Sequence, residues 1–219
     1  MAERSKRFFK TGKGQYAEGD AFLGIRVPVL RKLAKKHRAL PLEDAERLLQ
    51  SPFHEQRLLA LFLLTGLFSS GDEKQKKQVY TLYMTNTRHI NSWDLVDSSA
   101  HHIAGRYLFD RDKKPLYRFS RSTDLWERRI AIIATFYFIR NRVFEDALKI
   151  SLTLLNDPED LIHKAVGWML REIGNRNRAV ETSFLDTHYQ IMPRTMLRYA
   201  IEKLPGPLRL QYLKGTRFI

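Results

Sequence analysis

Apolar residues recur along this chain with the spacing of helices. Val29, Leu30 and Leu33 form one stripe; Leu48, Leu49, Leu58, Leu61, Phe62 and Leu64 carry the pattern into the next segments, followed by Val79, Leu82 and Tyr83. Residues 130–139, 147–155, 161–173 and 196–204 have similar apolar faces. No stretch alternates with period two for long enough to argue a sheet. Pro28, Pro52, Pro158 and Pro193 stand at expected helix starts, and Gly174 can end the helix that runs through Arg171. The pattern predicts an all-α chain.

The helices also repeat. FHEQRLLA at 53–60 matches WERRIA at 126–131, and IHKAVG at 162–167 matches MLRYA at 196–200. In each, polar or basic residues enter a helix and a small residue follows where the helix must pack closely. Ala131, Gly167 and Ala200 recur at roughly 33–36 residues, with Ala60 about two intervals upstream and the unfilled place at 91–100. Gly167 inside a helix costs about 1 kcal/mol relative to Ala, so a close approach is expected there. Two helices per unit at this period predict an α-solenoid of HEAT-like repeats, curved, with a basic concave face. Starts of second helices would line that face, bringing Arg57, Trp93, Asp97, Arg129, Lys164 and Trp168 to one groove.

Charge sharpens the picture. Lys and Arg number 38 against 24 Asp and Glu, a net +14, spread over 4–13, 26–38, 106–129 and 171–178. Such a balance fits a polyanionic partner, and its spread favours a long nucleic-acid footprint over one lipid-binding cluster. A merely solubilising basic surface is the bland alternative. With no cysteine, disulfides, thiol nucleophiles and the usual structural zinc sites are excluded. The longest apolar runs, 58–64 and 130–139, fall short of the roughly 20 residues that span a bilayer. A soluble, cytoplasmic, nucleoid-associated monomer is expected, with no membrane and no obligate protein partner.

A few residues can carry chemistry. Trp93 and Asp97 stand four apart, which on a helix sets indole and carboxylate side by side, and Asn91 or Ser92 can cap that helix. The competing reading puts Trp93 in a core and leaves the aspartates to complement the helix dipole. Trp168 follows Gly167 and reads either as a second groove indole or as a core residue at a helix contact. Arg128 and Arg129 oppose the dipole at a helix start, which suggests a phosphate partner or, more plainly, a salt bridge. His54, His101 and His102 lack companion ligands at usable spacing, so no metal and no cofactor is expected. P-loop, dinucleotide, HExxH and nucleophile-elbow motifs are absent.

These motifs together resemble the bacterial DNA alkylation repair glycosylases of the AlkD type, which are HEAT-like-repeat proteins. NSWDLVD at 91–97, LWERRIA at 125–131 and IHKAVGWMLRE at 162–172 carry the resemblance, supported by FLGIRVPVLRKL at 22–33 and HEQRLLA at 54–60. It implies that Asp97 is the catalytic aspartate, that Trp93 and Trp168 are active-site tryptophans, and that Arg129 is a groove arginine. Arg128, Lys164 and Arg57 join Arg129 as expected DNA-binding residues. The implied reaction is monofunctional hydrolysis of the N-glycosidic bond of cationic N3- or N7-alkylpurines in duplex DNA. The implied layout is a basic, flexible segment at 1–15, one glycosylase domain at 16–213 and a tail at 214–219. Two rivals stand: a helical repeat that binds duplex or branched DNA without catalysis, and one that binds RNA or scaffolds proteins.

Overall fold

A computed structural model describes residues 2–217; Met1 and the last two residues of the expected 214–219 tail lie outside the described residues. The chain divides into two compact units, Met1–Tyr107 and Leu108–Ile219. Helices α1 (Ala2–Phe9), α2 (Val27–Lys36), α3 (Leu42–Leu49), α4 (His54–Ser70), α5 (Glu73–Thr85) and α6 (Trp93–Asp97) build the first. A π-helical turn (His101–Gly105) and the short α7 (Arg106–Leu108) lead out of it. The second holds α8 (Lys114–Phe119), α9 (Leu125–Arg140), α10 (Glu145–Thr153), α11 (Asp160–Gly174), α12 (Arg178–His188), α13 (Arg194–Ala200) and α14 (Gly206–Lys214). No strand forms among the described residues, and one isolated bridge joins Ala21 to Phe53. The all-α class predicted from periodicity is the class found.

Packing follows the apolar pattern with one reversal. Leu58, Leu61 and Leu64 are buried in α4, and Ile130 to Ala134 are buried consecutively in α9, so that helix is covered all round. Leu30 faces the core of α2, whereas its neighbour Val29 is 44% exposed, because successive helical positions point about 100° apart. Pro28 occupies the first turn of α2 and Pro193 caps α13, where a missing N–H costs nothing. The close approach expected at Gly167 is real. A Cβ there would stand 2.4 Å from the Met196 carbonyl oxygen and 2.6 Å from the Tyr199 Cβ. Glycine is what lets α11 and α13 pack together.

Three helix starts share one arrangement. Arg57, fourth in α4, donates from Nη1 to the carbonyls of Ser51 (3.0 Å) and Pro52 (3.2 Å). Arg128, fourth in α9, donates to the equivalent carbonyls of Ser122 and Thr123, both at 3.0 Å. His163, fourth in α11, reaches the carbonyl of Asp157, again six residues back. In each, a long side chain turns back and fastens the loop that feeds its helix.

Residues 91–100 break this pattern. Where a long second helix was due, α6 spans five residues, and the chain then widens into the π turn, closed by Gly105 N–H donating to Ala100 O at 2.9 Å. Five residues fall well below the length at which a helix is stable by itself. Ser92 is the N-cap yet makes no capping bond, and its buried Oγ has no partner among the described residues. Contacts from elsewhere in the unit must therefore hold α6.

Candidate functional site

Those contacts converge on the start of α6. His54 is 2% exposed and lies between two carboxylates, with Nδ1 3.1 Å from Asp20 Oδ2 and Nε2 2.9 Å from Asp94 Oδ2. Asp20 also accepts from Arg57 Nη2 at 2.7 Å and from Asn91 Nδ2 at 3.4 Å. Burial opposes a charge on His54, but hydrogen bonds and charges from Asp20 and Asp94 outweigh it and push the imidazole pKa up to about 9. Burial likewise opposes ionisation of Asp20, and His54 and Arg57 more than offset it, leaving that carboxyl below its ordinary range. Beside this network the buried Glu55 accepts from the backbone N–H groups of Leu23 (2.9 Å), Gly24 (2.7 Å) and Ile25 (3.2 Å). Gly24 has φ +78°, a left-handed conformation that suits glycine and turns three amides toward one carboxylate. The FLGIR and HEQR motifs are thus joined by hydrogen bonds.

Trp93 and Asp97 lie at opposite ends of α6 and line two different clefts of the first unit. The Trp93 cleft, about 500 Å³, is aromatic and apolar. Phe9 stacks on the indole at 5.7 Å and Phe8 meets it edge-on at 5.9 Å, while Trp93 Nε1 donates to the Tyr16 hydroxyl at 3.2 Å. Residues 1–15, read from sequence as a flexible basic segment, therefore contribute α1 and two rings to the surroundings of Trp93. Tyr16 was not singled out from sequence. One tyrosine among glycines carries no periodic signal.

The Asp97 cleft, about 840 Å³, has another character. Exposed Arg31, Lys35 and Arg38 from α2 and the turn after it wall one side, and the Arg31 guanidinium lies 4.3 Å over the Phe62 ring. His101 and His102 line it too, their rings 3.8 Å apart, on the π turn that follows Asp97. Asp97 is half-buried, and among the described residues it is the one acidic side chain lining this cleft. π turns are rare in helices and are found frequently at functional sites. Such a cleft presents cations suited to phosphates along one wall and a single carboxylate suited to a positive charge.

The remaining expected residues belong to the second unit, apart from Arg57. All four cations expected on DNA spend donors inside the protein. Arg57 is buried against Asp20 and the loop carbonyls. Arg128 forks onto Asp157, Nε at 2.6 Å and Nη2 at 3.3 Å. Arg129 is buried and donates to the Leu161 carbonyl. Internal acceptors thus engage Arg128 and Arg129, and such charge-assisted bonds contribute about 1.5–3 kcal/mol each. Lys164 is 39% exposed and pairs with Asp160 at 2.7 Å one turn away. Trp168 is half-buried against Phe136 at 5.7 Å and donates from Nε1 to Glu172 at 3.2 Å. Among the described residues no cluster of His, Cys, Asp or Glu can hold a metal ion, and no helix is long and apolar enough to cross a membrane.

Solved structures share this fold. A predicted DNA alkylation repair enzyme from Enterococcus faecalis superposes with a TM-score of 0.73 at 17% identity, covering 94% of this chain and 95% of that one. AlkD2 from Streptococcus mutans gives 0.57 at 16% identity, covering 93% and 97%, and smu.31 from Streptococcus mutans UA159 gives 0.55 at 17%, covering 82% and 92%. No curated protein matches significantly. The family model described as DNA alkylation repair enzyme matches residues 1–204, taking in every motif from FLGIR to the α11 tryptophan, and so the chain belongs to the DNA alkylation repair enzyme family.

Proposed function

We infer that this protein is a monofunctional DNA glycosylase that removes cationic N3- or N7-alkylpurines from duplex DNA. The observation that carries the reading is Asp97, an acid opening onto a cleft walled by Arg31, Lys35 and Arg38. In a protein of net charge +14, an acid kept within reach of a phosphate-binding wall has a role that phosphate binding alone does not explain. An alkylated purine already carries positive charge and leaves without being protonated, so one carboxylate suffices where ordinary glycoside hydrolysis uses two. As the bond breaks, positive charge moves to the sugar, and Asp97 stabilises it and holds the attacking water. The α2 cations bind flanking phosphates and fix register without reading sequence.

Trp93 supports the turn that carries Asp97 and offers a π face to the cationic nucleotide, and Trp168 and Lys164 of the second unit contact DNA. Each indole contact contributes about 0.5–2 kcal/mol. Arg57, Arg128 and Arg129 act indirectly, by fastening the helices that present these groups. The protein works as a soluble monomer in the bacterial cytoplasm, without cofactor.

Release of free base from N-methylated duplex DNA tests the reading. Asp97→Asn is expected to lower release by roughly 100-fold or more with duplex binding retained. Wild-type protein that releases no base above the spontaneous rate would sink it. A second reading, binding of duplex or branched DNA without excision, draws on the rings of Phe8 and Phe9 that cover Trp93. The same assay separates the two.

A further inference from the structure

We propose that His54 is the positioning residue of this site: bridging Asp20 and Asp94, it sets where α6 stands and with it both Trp93 and Asp97. The proposal deepens the glycosylase reading and rests on it for the catalytic readout. Three observations carry it. First, α6 has five residues and no side-chain cap, so nothing local fixes its start. Second, beside the ring contacts of Trp93 and its bond to Tyr16, the contacts that reach its start run through one charged cluster: His54 to Asp94 at 2.9 Å, His54 to Asp20 at 3.1 Å, and Asn91 to Asp20 at 3.4 Å. Third, that cluster is rigidly seated. His54 stacks on Phe22 at 4.8 Å and packs against Phe9 at 4.6 Å, Arg57 holds Asp20 at 2.7 Å, and the side chains of Asp20, His54 and Arg57 are each 5% exposed or less.

The geometry demands two N–H groups. Each carboxylate faces one ring nitrogen, so both nitrogens must donate, which only the doubly protonated ring does. The groups facing His54 are Asp20 from the loop before α2 and Asp94 from α6, with Arg57 and Glu55 on its own helix; Phe9 and Phe22 are uncharged. A pKa raised to about 9 keeps the ring charged at neutral pH, and loss of one proton above that leaves a carboxylate facing a lone pair. The clamp then opens on one side and α6 loosens. Among the described residues Asp94 Oδ1, which is buried, has no hydrogen-bond partner, so that carboxylate has no second anchor there to hold α6 in place.

The test reads the ring, the helix and the chemistry separately. Nitrogen-detected NMR of the wild-type protein is expected to show His54 with both ring N–H groups at pH 7 and a midpoint near 9. Trp93 fluorescence, isolated by Trp126→Phe and Trp168→Phe, should become more accessible to acrylamide over the same pH range and at all pH values in His54→Gln. In otherwise wild-type protein, His54→Gln should slow single-turnover base release by roughly 10- to 100-fold, as a misplaced catalytic group does, with duplex affinity changed less than about twofold. The wild-type rate should fall as pH rises through the His54 midpoint. That limb should vanish in His54→Gln and persist in Tyr16→Phe, which removes the titratable group hydrogen-bonded to Trp93. A residue that only stabilises the fold would lower the melting temperature and leave this limb intact. A neutral ring at pH 7, or Trp93 accessibility unchanged in His54→Gln, overturns the proposal. If wild-type protein releases no base, the glycosylase reading fails, while the NMR and fluorescence arms still decide whether His54 sets α6.

Discussion

His54 in the first unit and Glu181 in the second are buried to nearly the same degree, 2% and 3% exposed, and the protein treats them in opposite ways. His54 is given two carboxylates and stays charged. Glu181, the fourth residue of α12, is given none: no group among the described residues hydrogen-bonds or pairs with its carboxyl, which lies against the backbone of Gly174, where a Cβ would come within 1.9 Å of Oε2. Burial pushes its pKa up to about 8, with Arg178 opposing only in part, so Glu181 is mostly protonated at neutral pH. Both values rise, yet one rise keeps a charge and the other removes one. The difference lies in the partners, because burial without a partner makes ionisation costly while a paired charge is tolerated and directional.

The sharpest way to break this contrast is to strip the first unit of its partners. Asp20→Ala leaves His54 with one carboxylate, orphans Arg57 Nη2, and removes the acceptor of Asn91. Breaking a buried charge network from one side typically costs about 3–5 kcal/mol. Urea unfolding followed by circular dichroism should show a loss of that order at pH 7. A loss below about 1 kcal/mol would mean that the cluster is solvated in solution and contributes little.

Glu181→Gln is the reverse experiment, with an intermediate effect. A folded pKa near 8 against an ordinary value of 4.5 means that the native state holds a proton which the unfolded state releases between those limits. The Glu181 contribution to wild-type stability is therefore complete below about 4.5 and is lost as pH rises to about 8. For His54 the window is different, since its contribution is complete below the ordinary 6.5 and is lost as pH rises through about 9. Glutamine cannot ionise, so the variant should match wild type near pH 5 and exceed it by ~1–3 kcal/mol at pH 8. A constant gap across that range would show that Glu181 does not titrate in it.

The contrast also explains what the sequence makes legible. Long helices announce themselves through period and punctuation, and Gly167 announces a close contact, because a mid-helix glycine costs stability unless backbone or side chain of a neighbour needs the space. The cluster that holds α6 announces nothing. Asp20 and Asp94 lie 34 and 40 residues from His54, beyond the reach of any local spacing, and so His54 reads as an unpartnered metal candidate. Arg57 and Arg128 are a subtler case. An arginine in the first turn of a helix has one sequence signature whether its partner is a phosphate or a loop carbonyl with a distant aspartate, and only tertiary structure separates these. For the same reason the run at 26–38 is legible as basic, while the gathering of Arg31, Lys35 and Arg38 around Asp97 is not.

The smallest predicted effect tests the partner argument most directly, because it changes a partner without changing the buried group. Arg178 stands one turn before Glu181 and is exposed, with Nη2 3.4 Å from the Lys203 carbonyl. It is the one group that draws the Glu181 pKa down. Exposed pairs are screened by solvent, so Arg178→Ala should change stability at pH 7 by less than ~0.5 kcal/mol. The carboxyl carbon of Glu181, followed by NMR, should nonetheless titrate at higher pH in the variant than in wild type. An unchanged or lower midpoint would mean that burial alone sets the proton affinity of Glu181, and that a partner must come as close as Asp20 and Asp94 come to His54 before it governs a buried charge.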